Sequence, residues 1–291
     1  MANPTTTTKE VSSISASARY LLLAKGYTSI PYARRVAELL EYPTPYVPDF
    51  DNRNMTLAAA AFHFESRYLC IDQLLNELPV RNILELSSGY SFRGLDFVRR
   101  EGIHYIDTDL PEIIDTKKRI VSILKEEGAE VKGKLELLPL DALDEQHFRQ
   151  VVARFPEGEL AIVNEGLLTY LEPEDQERFC STIHDILIER GGWWITGDVY
   201  LKNKQPKLQF RYPDEMKKFY QEHDTERNSF VSFEEAKQFF RRMSFVLEKE
   251  AAVKRSDVSA LKYFMKSVSF WQLLRFVRVG KLQATWRLRA V

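Results

Sequence analysis

Asn82-Ile83-Leu84-Glu85-Leu86-Ser87-Ser88-Gly89 opens the stretch that decides the fold, and His104-Tyr105-Ile106-Asp107-Thr108-Asp109-Leu110-Pro111 closes it some twenty residues later. The first run is apolar enough for a buried strand and ends in small residues; the second is a strand ending in acid. Small residues where a strand opens into a helix let backbone N–H groups approach a ligand, and an acid closing the next strand can accept both hydroxyls of a ribose. A dinucleotide fingerprint needs glycine where Ser87 and Phe92 stand, so only Gly89 of its three glycines is in place and a pyrophosphate is not expected. A nucleoside without phosphates suits what remains, and S-adenosylmethionine is the common ligand of that kind. The spacing alone also fits a plain βαβ unit with an incidental glycine turn.

Working outward, strand and helix alternate. After the helix from about Phe92 and the strand His104 to Asp107 comes a helix Pro111 to Glu127, with proline in its first turn, Glu112 at its positive end and Gly128 as its stop. Then follow strand Lys134 to Leu138, helix Asp144 to Arg154, strand Leu160 to Asn164, helix Pro173 to Arg190 and strand Gly192 to Gly197. Repeated βα units predict an α/β fold: a parallel sheet with helices on both faces. Upstream, Thr56 to Leu78 repeats apolar residues at helical spacing, and Ser15 to Leu40 gives short helical patterns broken at Gly26 and Pro31. Downstream, the pattern loosens between Tyr200 and Ser232, resumes with a helix Phe233 to Met243 and a strand Phe245 to Lys249, and ends in the strand Gln283 to Arg289. The expected organisation is a disordered tail (1–14) and one domain (15–291), comprising a helical cap (15–80), a cofactor-binding core (81–200), a lid (201–232) and the last strands with a helical insertion (233–291).

Composition narrows the class. The chain has 291 residues with 44% hydrophobic content, enough for a sizeable core, and a net charge of -1 that demands neither nucleic acid nor an acidic partner. No apolar run is long enough to span a membrane and no signal-peptide core opens the chain, so the cytoplasm is the expected compartment. Cys70 and Cys180 read as small buried hydrophobes, and five dispersed histidines predict no metal site. Charge is uneven: from Ala251 onward nine Lys or Arg face the single Asp257. The aromatic, basic run Asp257 to Val279 is expected to be helical and to pack into the core or a homodimer contact, although such helices also lie at anionic membrane surfaces.

Four motifs, in order, resemble the leucine carboxyl methyltransferase family, which includes enzymes that methylate the C-terminal carboxylate of protein phosphatases and bacterial polyketide O-methyltransferases. They are Ser66-Arg67-Tyr68 with Ile71-Asp72, the turn Glu85 to Arg93, Asp107 to Glu112, and Asn164-Glu165-Gly166-Leu167-Leu168-Thr169-Tyr170-Leu171; Thr285-Trp286-Arg287-Leu288 resembles the family's last strand. The resemblance implies a class I methyltransferase (Rossmann-like) sheet with S-adenosylmethionine across the carboxyl ends of its first strands. It assigns Arg67, helped by Lys25, to the methionine carboxylate, where a fork of donors suits an anion. Ser87, Ser88 and Gly89 line the methionine end, with Glu85 anchoring the turn. Asp109, before Leu110, matches the ribose acid, with Asp107 as the alternative. Asp141 and Ala142 match the pair that meets adenine, and Glu165 and Tyr170 face the methyl donor and the acceptor. Serine at position 87 departs from the family's glycine, and Ala251 to Lys281 has no evident counterpart.

The expected activity is methyl transfer to oxygen on a small-molecule carboxylate or hydroxyl, with a protein C-terminal carboxylate, or cofactor binding without transfer, as alternatives. A carboxylate needs no general base; for a hydroxyl, His63 and His223 are the histidines in reach, and no catalytic residue is assigned. Arg211, with Tyr200 and Tyr212 nearby in sequence, is the candidate contact for an anionic acceptor.

Overall fold

Burial on both faces explains the unbroken apolar runs. Strands β1 (Asn82–Leu86), β2 (His104–Asp109) and β4 (Leu160–Asn164) are buried at every position, whereas β3 (Lys134–Pro139) lies at the edge and is only half-buried. The computed structural model describes residues 20–41, 46–202 and 228–291. With β5 (Gly192–Tyr200), β6 (Phe245–Glu250) and β7 (Gln283–Ala290), the strands form one seven-stranded sheet in the order β3-β2-β1-β4-β5-β7-β6. The first five are parallel, and β7 runs antiparallel between β5 and β6. This is the class I methyltransferase sheet.

Period-two alternation sorts the helices to the two faces. In β1 and β4, Ile83, Ala161 and Val163 meet Ile71, Leu74 and Leu75 of α2 (Met55–Asn76) and Phe97 of α3 (Arg93–Phe97). Leu84, Leu86, Leu160 and Ile162 face the other way, toward α5 (Glu145–Val152), α6 (Pro173–Arg190) and α7 (Phe233–Arg242). The helical segment at 20–25 and α1 (Ala33–Glu41) pack with α4 (Pro111–Glu126) and Tyr68 as a cap. Strand order reverses between β1 and β4, and at such a reversal the carboxyl ends of the strands leave a crevice.

The basic aromatic run differs from its expectation. It forms two helices, α8 (Leu261–Ser267) and α9 (Phe270–Val279), and only α8 enters the core, through Tyr263 and Phe264. No residue of α9 is buried, so core packing does not hold for this helix. Cys180 is buried as expected; Cys70 is only half-buried, and both thiols are free. Most of the lid expectation, with Arg211, Tyr212 and His223, lies outside the described residues, as does the N-terminal tail.

Candidate functional site at the carboxyl edge of the sheet

The turn after β1 is held from two sides. Ser87 sits at a φ of 49° and Gly89 at 53°, so two left-handed residues in three fold the chain sharply toward α3. Glycine tolerates that region; serine is strained in it. Beneath the turn Glu85 is fully buried, accepting from the Tyr105 hydroxyl (2.7 Å) and Arg93 Nε (3.3 Å). Above it Asp109, at the end of β2, accepts from the backbone N–H of Gly89 (2.6 Å) and of Leu110 (2.7 Å). Burial pushes the Asp109 carboxyl up, and those two N–H groups oppose it.

The two acids of the second strand have different surroundings. Asp107 is locked to Lys117 of α4 (2.6 Å) and accepts from the Ser88 hydroxyl, with all three side chains buried. Burial raises its carboxyl against the pull of Lys117. Among the described residues Asp109 makes no side-chain ion pair, and it stands where the strand ends. The β3 loop is joined to it by the Leu140 N–H donating to the Asp109 carbonyl (2.9 Å), which brings Asp141 and Ala142 to the same edge; the exposed Asp141 also accepts from the Leu143 N–H (2.9 Å).

After β4, Glu165 is the centre of a buried charge cluster. Its Oε1 accepts from Lys25 Nζ (2.8 Å) and Arg67 (3.0 Å), and its Oε2 accepts from Arg93 (2.8 Å). Burial by itself would raise this carboxyl, but the three cations outweigh it and hold Glu165 well below the usual carboxylate range. Lys25 is pushed down by burial despite its partner. Arg93 stacks on the Tyr68 ring at 3.8 Å, donates to the Tyr68 carbonyl (3.1 Å) and pairs with Asp72, whose carboxyl burial raises to about 6.

Arg67 reaches the cluster from the middle of α2 because β5 leaves room: a Cβ on Gly197 would come within 3.2 Å of its stem. Besides Glu165, it donates to the Tyr200 hydroxyl (2.6 Å), while its buried Nε has no hydrogen-bond partner among the described residues. The Tyr200 oxygen also lies 2.8 Å from His63 Nε2. Burial, and then the Arg67 charge, lowers His63 to about 3, so the ring is neutral and its Nε2 shares one hydrogen with the Tyr200 hydroxyl. Burial raises the Tyr200 phenol, against Arg67. Asp198, fully buried on β5, accepts from the Gly166, Leu167 and Leu168 N–H groups and from the Asn164 amide, and so fixes the loop bearing Glu165. Tyr170 follows in a 3-10 turn, half-buried.

Lys25, Arg67, Glu165 and Tyr200 are thus brought together in one hydrogen-bonded group, and Gly89, Asp109 and Leu110 in a second on the same edge, with Ser87 in the same turn. Arg93, Lys117 and Asp198 were given no role in the sequence reading. Their signals are faint: an arginine eight residues after the strand glutamate, a lysine one helical turn past Ile113, and an aspartate at the end of a strand. Among the described residues, no group of His, Cys, Asp and Glu could hold a metal ion.

A seven-stranded sheet of this order, with a glycine turn after its first strand and an acid closing its second, is that of the class I methyltransferases. The chain belongs to the leucine carboxyl methyltransferase family, whose family model matches residues 18–184. A solved structure of a DUF574 family protein from Streptomyces avermitilis is similar to it at a TM-score of 0.54 and 12% identity, covering 94% of this chain and 97% of that one. A magnesium protoporphyrin IX methyltransferase from Synechocystis PCC 6803, solved with bound SAH, gives a TM-score of 0.48 and 9% identity over 91% of this chain and 96% of that one. Identities this low bear on the fold alone. No curated protein matches the chain.

Proposed function

We propose that this methyltransferase transfers a methyl group to oxygen on a small-molecule carboxylate or hydroxyl acceptor. Its cofactor is S-adenosylmethionine. The observation that carries the site reading is the orphaned Nε of Arg67: a buried guanidinium nitrogen without a partner, beside Lys25 and Glu165, is a donor prepared for an anion. The residues present therefore fit the group. Arg67 and Lys25 would hold its methionine carboxylate, and Asp109 would accept the ribose hydroxyls on lone pairs that Gly89 and Leu110 leave open. The Ser87 to Gly89 backbone would border the methionine end, with Glu85 setting the turn from beneath. Leu110, Asp141 and Ala142 would border adenine.

Bound there, the sulfonium supplies an activated methyl and its own leaving group. The protein's part is to hold the acceptor oxygen in line and exclude water. Glu165, kept ionised by its three cations, would face the positive sulfur. Tyr170 and Tyr200, with Arg211, would face the acceptor. Tyr200 is hydrogen-bonded to His63 Nε2 and accepts from Arg67, so its hydroxyl is oriented before an acceptor arrives. A carboxylate acceptor carries no proton to remove, and no side chain is assigned as a base.

Calorimetry with S-adenosylmethionine and S-adenosylhomocysteine tests the reading, followed by labelled-methyl transfer to a panel of carboxylic acids and phenols. Tight binding weakened at least about tenfold in Asp109→Ala and in Arg67→Ala is expected, each loss corresponding to a charge-assisted hydrogen bond. Absence of binding by the intact protein overturns the site, and binding with no turnover on any acceptor overturns the activity.

A further inference from the structure

We infer that α9 is a membrane-surface helix that docks on anionic lipid. Of the ten-residue helix, Phe270, Trp271 and Val277 are 67, 73 and 63% exposed, although nothing in the sequence marks them as a polar face. Rows three and four residues apart share a helix face. Phe270, Leu274 and Val277 form an apolar row, and Trp271, Arg275 and Arg278 form the row beside it. The opposite side rests on the domain through Phe276, stacked edge-on against Phe264 at 5.0 Å. A Ser269–Gln272 capping box starts the helix, and Gly280, at a φ of 72°, ends it, so its shape is fixed while none of the described residues covers its outer face.

Charge selects the occupant. From Val258 to Val291 the chain has no Asp or Glu, and Arg275 and Arg278 make no ion pair among the described residues. An apolar stripe with tryptophan at its border and arginines beside it matches the boundary between acyl chains and negatively charged headgroups. A second copy is the weaker occupant. Two-fold pairing across α9 would bring the arginines of one copy toward those of the other with no acid to meet them, which opposes the homodimer contact expected for this segment. The helix does not span a bilayer: no described helix is long and apolar enough.

Co-sedimentation of the full chain with vesicles of phosphatidylcholine alone and with added phosphatidylglycerol tests this, read together with Trp271 fluorescence. Binding to the anionic vesicles at least about tenfold stronger than to the neutral ones, weakened by salt and accompanied by a blue shift, is expected. Phe270→Ser/Trp271→Ser should lose that binding while keeping its circular dichroism and cofactor affinity; Ile188→Ser, at an exposed position on α6, should keep it. No binding to anionic vesicles, or binding unchanged in the double variant, overturns the inference. So does a concentration-dependent dimer that the double variant abolishes without any vesicle binding.

Discussion

Ser87 bends the chain through a conformation that suits glycine, and the cost is local. Left-handed backbone at a residue with a Cβ costs on the order of 1–2 kcal/mol, part of which glycine gives back as unfolded-chain entropy. Ser87→Gly should therefore raise stability by about 0.5 kcal/mol in chemical denaturation, with cofactor affinity retained. Glu165 lies at the other extreme. Glu165→Gln would leave Lys25, Arg67 and Arg93 facing one another in a buried space, and breaking a buried pair from one side costs about 3–5 kcal/mol. We expect a loss of that order, measured by urea unfolding at neutral pH. His63 sets a pH dependence. Its folded pKa of about 3 lies below the ordinary 6.5, so the unfolded chain takes up a proton that the folded one refuses, and this share of stability is lost as pH falls from 6.5 toward 3. His63→Gln should flatten that part of the acid-unfolding curve.

Among the elements, α2 ties the cap, the sheet and the C-terminal insertion together. Its Glu65 is fully buried yet meets no cation; it accepts from Ser29 N–H (3.1 Å) and hydroxyl (2.9 Å), from the Ser259 hydroxyl (2.6 Å) and from Ala260 N–H (2.7 Å). Beside it Tyr27 stacks on Tyr263 at 4.9 Å, and Phe62 on Phe264 at 5.4 Å. The cap and α8 are thus bound to the same helix that carries His63 and Arg67. Glu65→Ala would strand the buried Ala260 N–H, at about 1–3 kcal/mol, while the exposed Ser29 N–H keeps the Ser259 hydroxyl (2.9 Å). Hydrogen exchange should rise at residues 258–267 with the sheet unaffected. Alternation and capping made most elements legible: Pro111, Gly191 and the strand Leu160–Asn164 stand where their sequence signals put them. The break at Val268 that divides the insertion into α8 and α9 has no glycine or proline, and its one signal in the chain is the Ser269-to-Gln272 spacing of the box that opens α9.

For the whole molecule, ligand linkage gives a direct readout. At a concentration a hundredfold above its Kd, a ligand of the native state adds about 2.7 kcal/mol, a rise of a few degrees in Tm for a chain of this size. S-adenosylhomocysteine should produce that rise, and Asp109→Asn should abolish most of it. The sequence by itself determined the layer order: buried strands, interleaved amphipathic helices and the small-residue turn are local patterns, and their period leaves one sheet with two covered faces. The order of its motifs, through their resemblance to a known family, also marked Arg67, Glu165 and Asp109 as candidates for chemistry. Only the tertiary structure decided how charge is shared among them. Glu165 meets Lys25, Arg67 and Arg93 from three separate segments, and Asp107 is taken by Lys117 while Asp109 forms no ion pair among the described residues. Ion pairing depends on a few ångströms between residues 10–140 positions apart, a distance that packing sets and that no local pattern in the chain encodes.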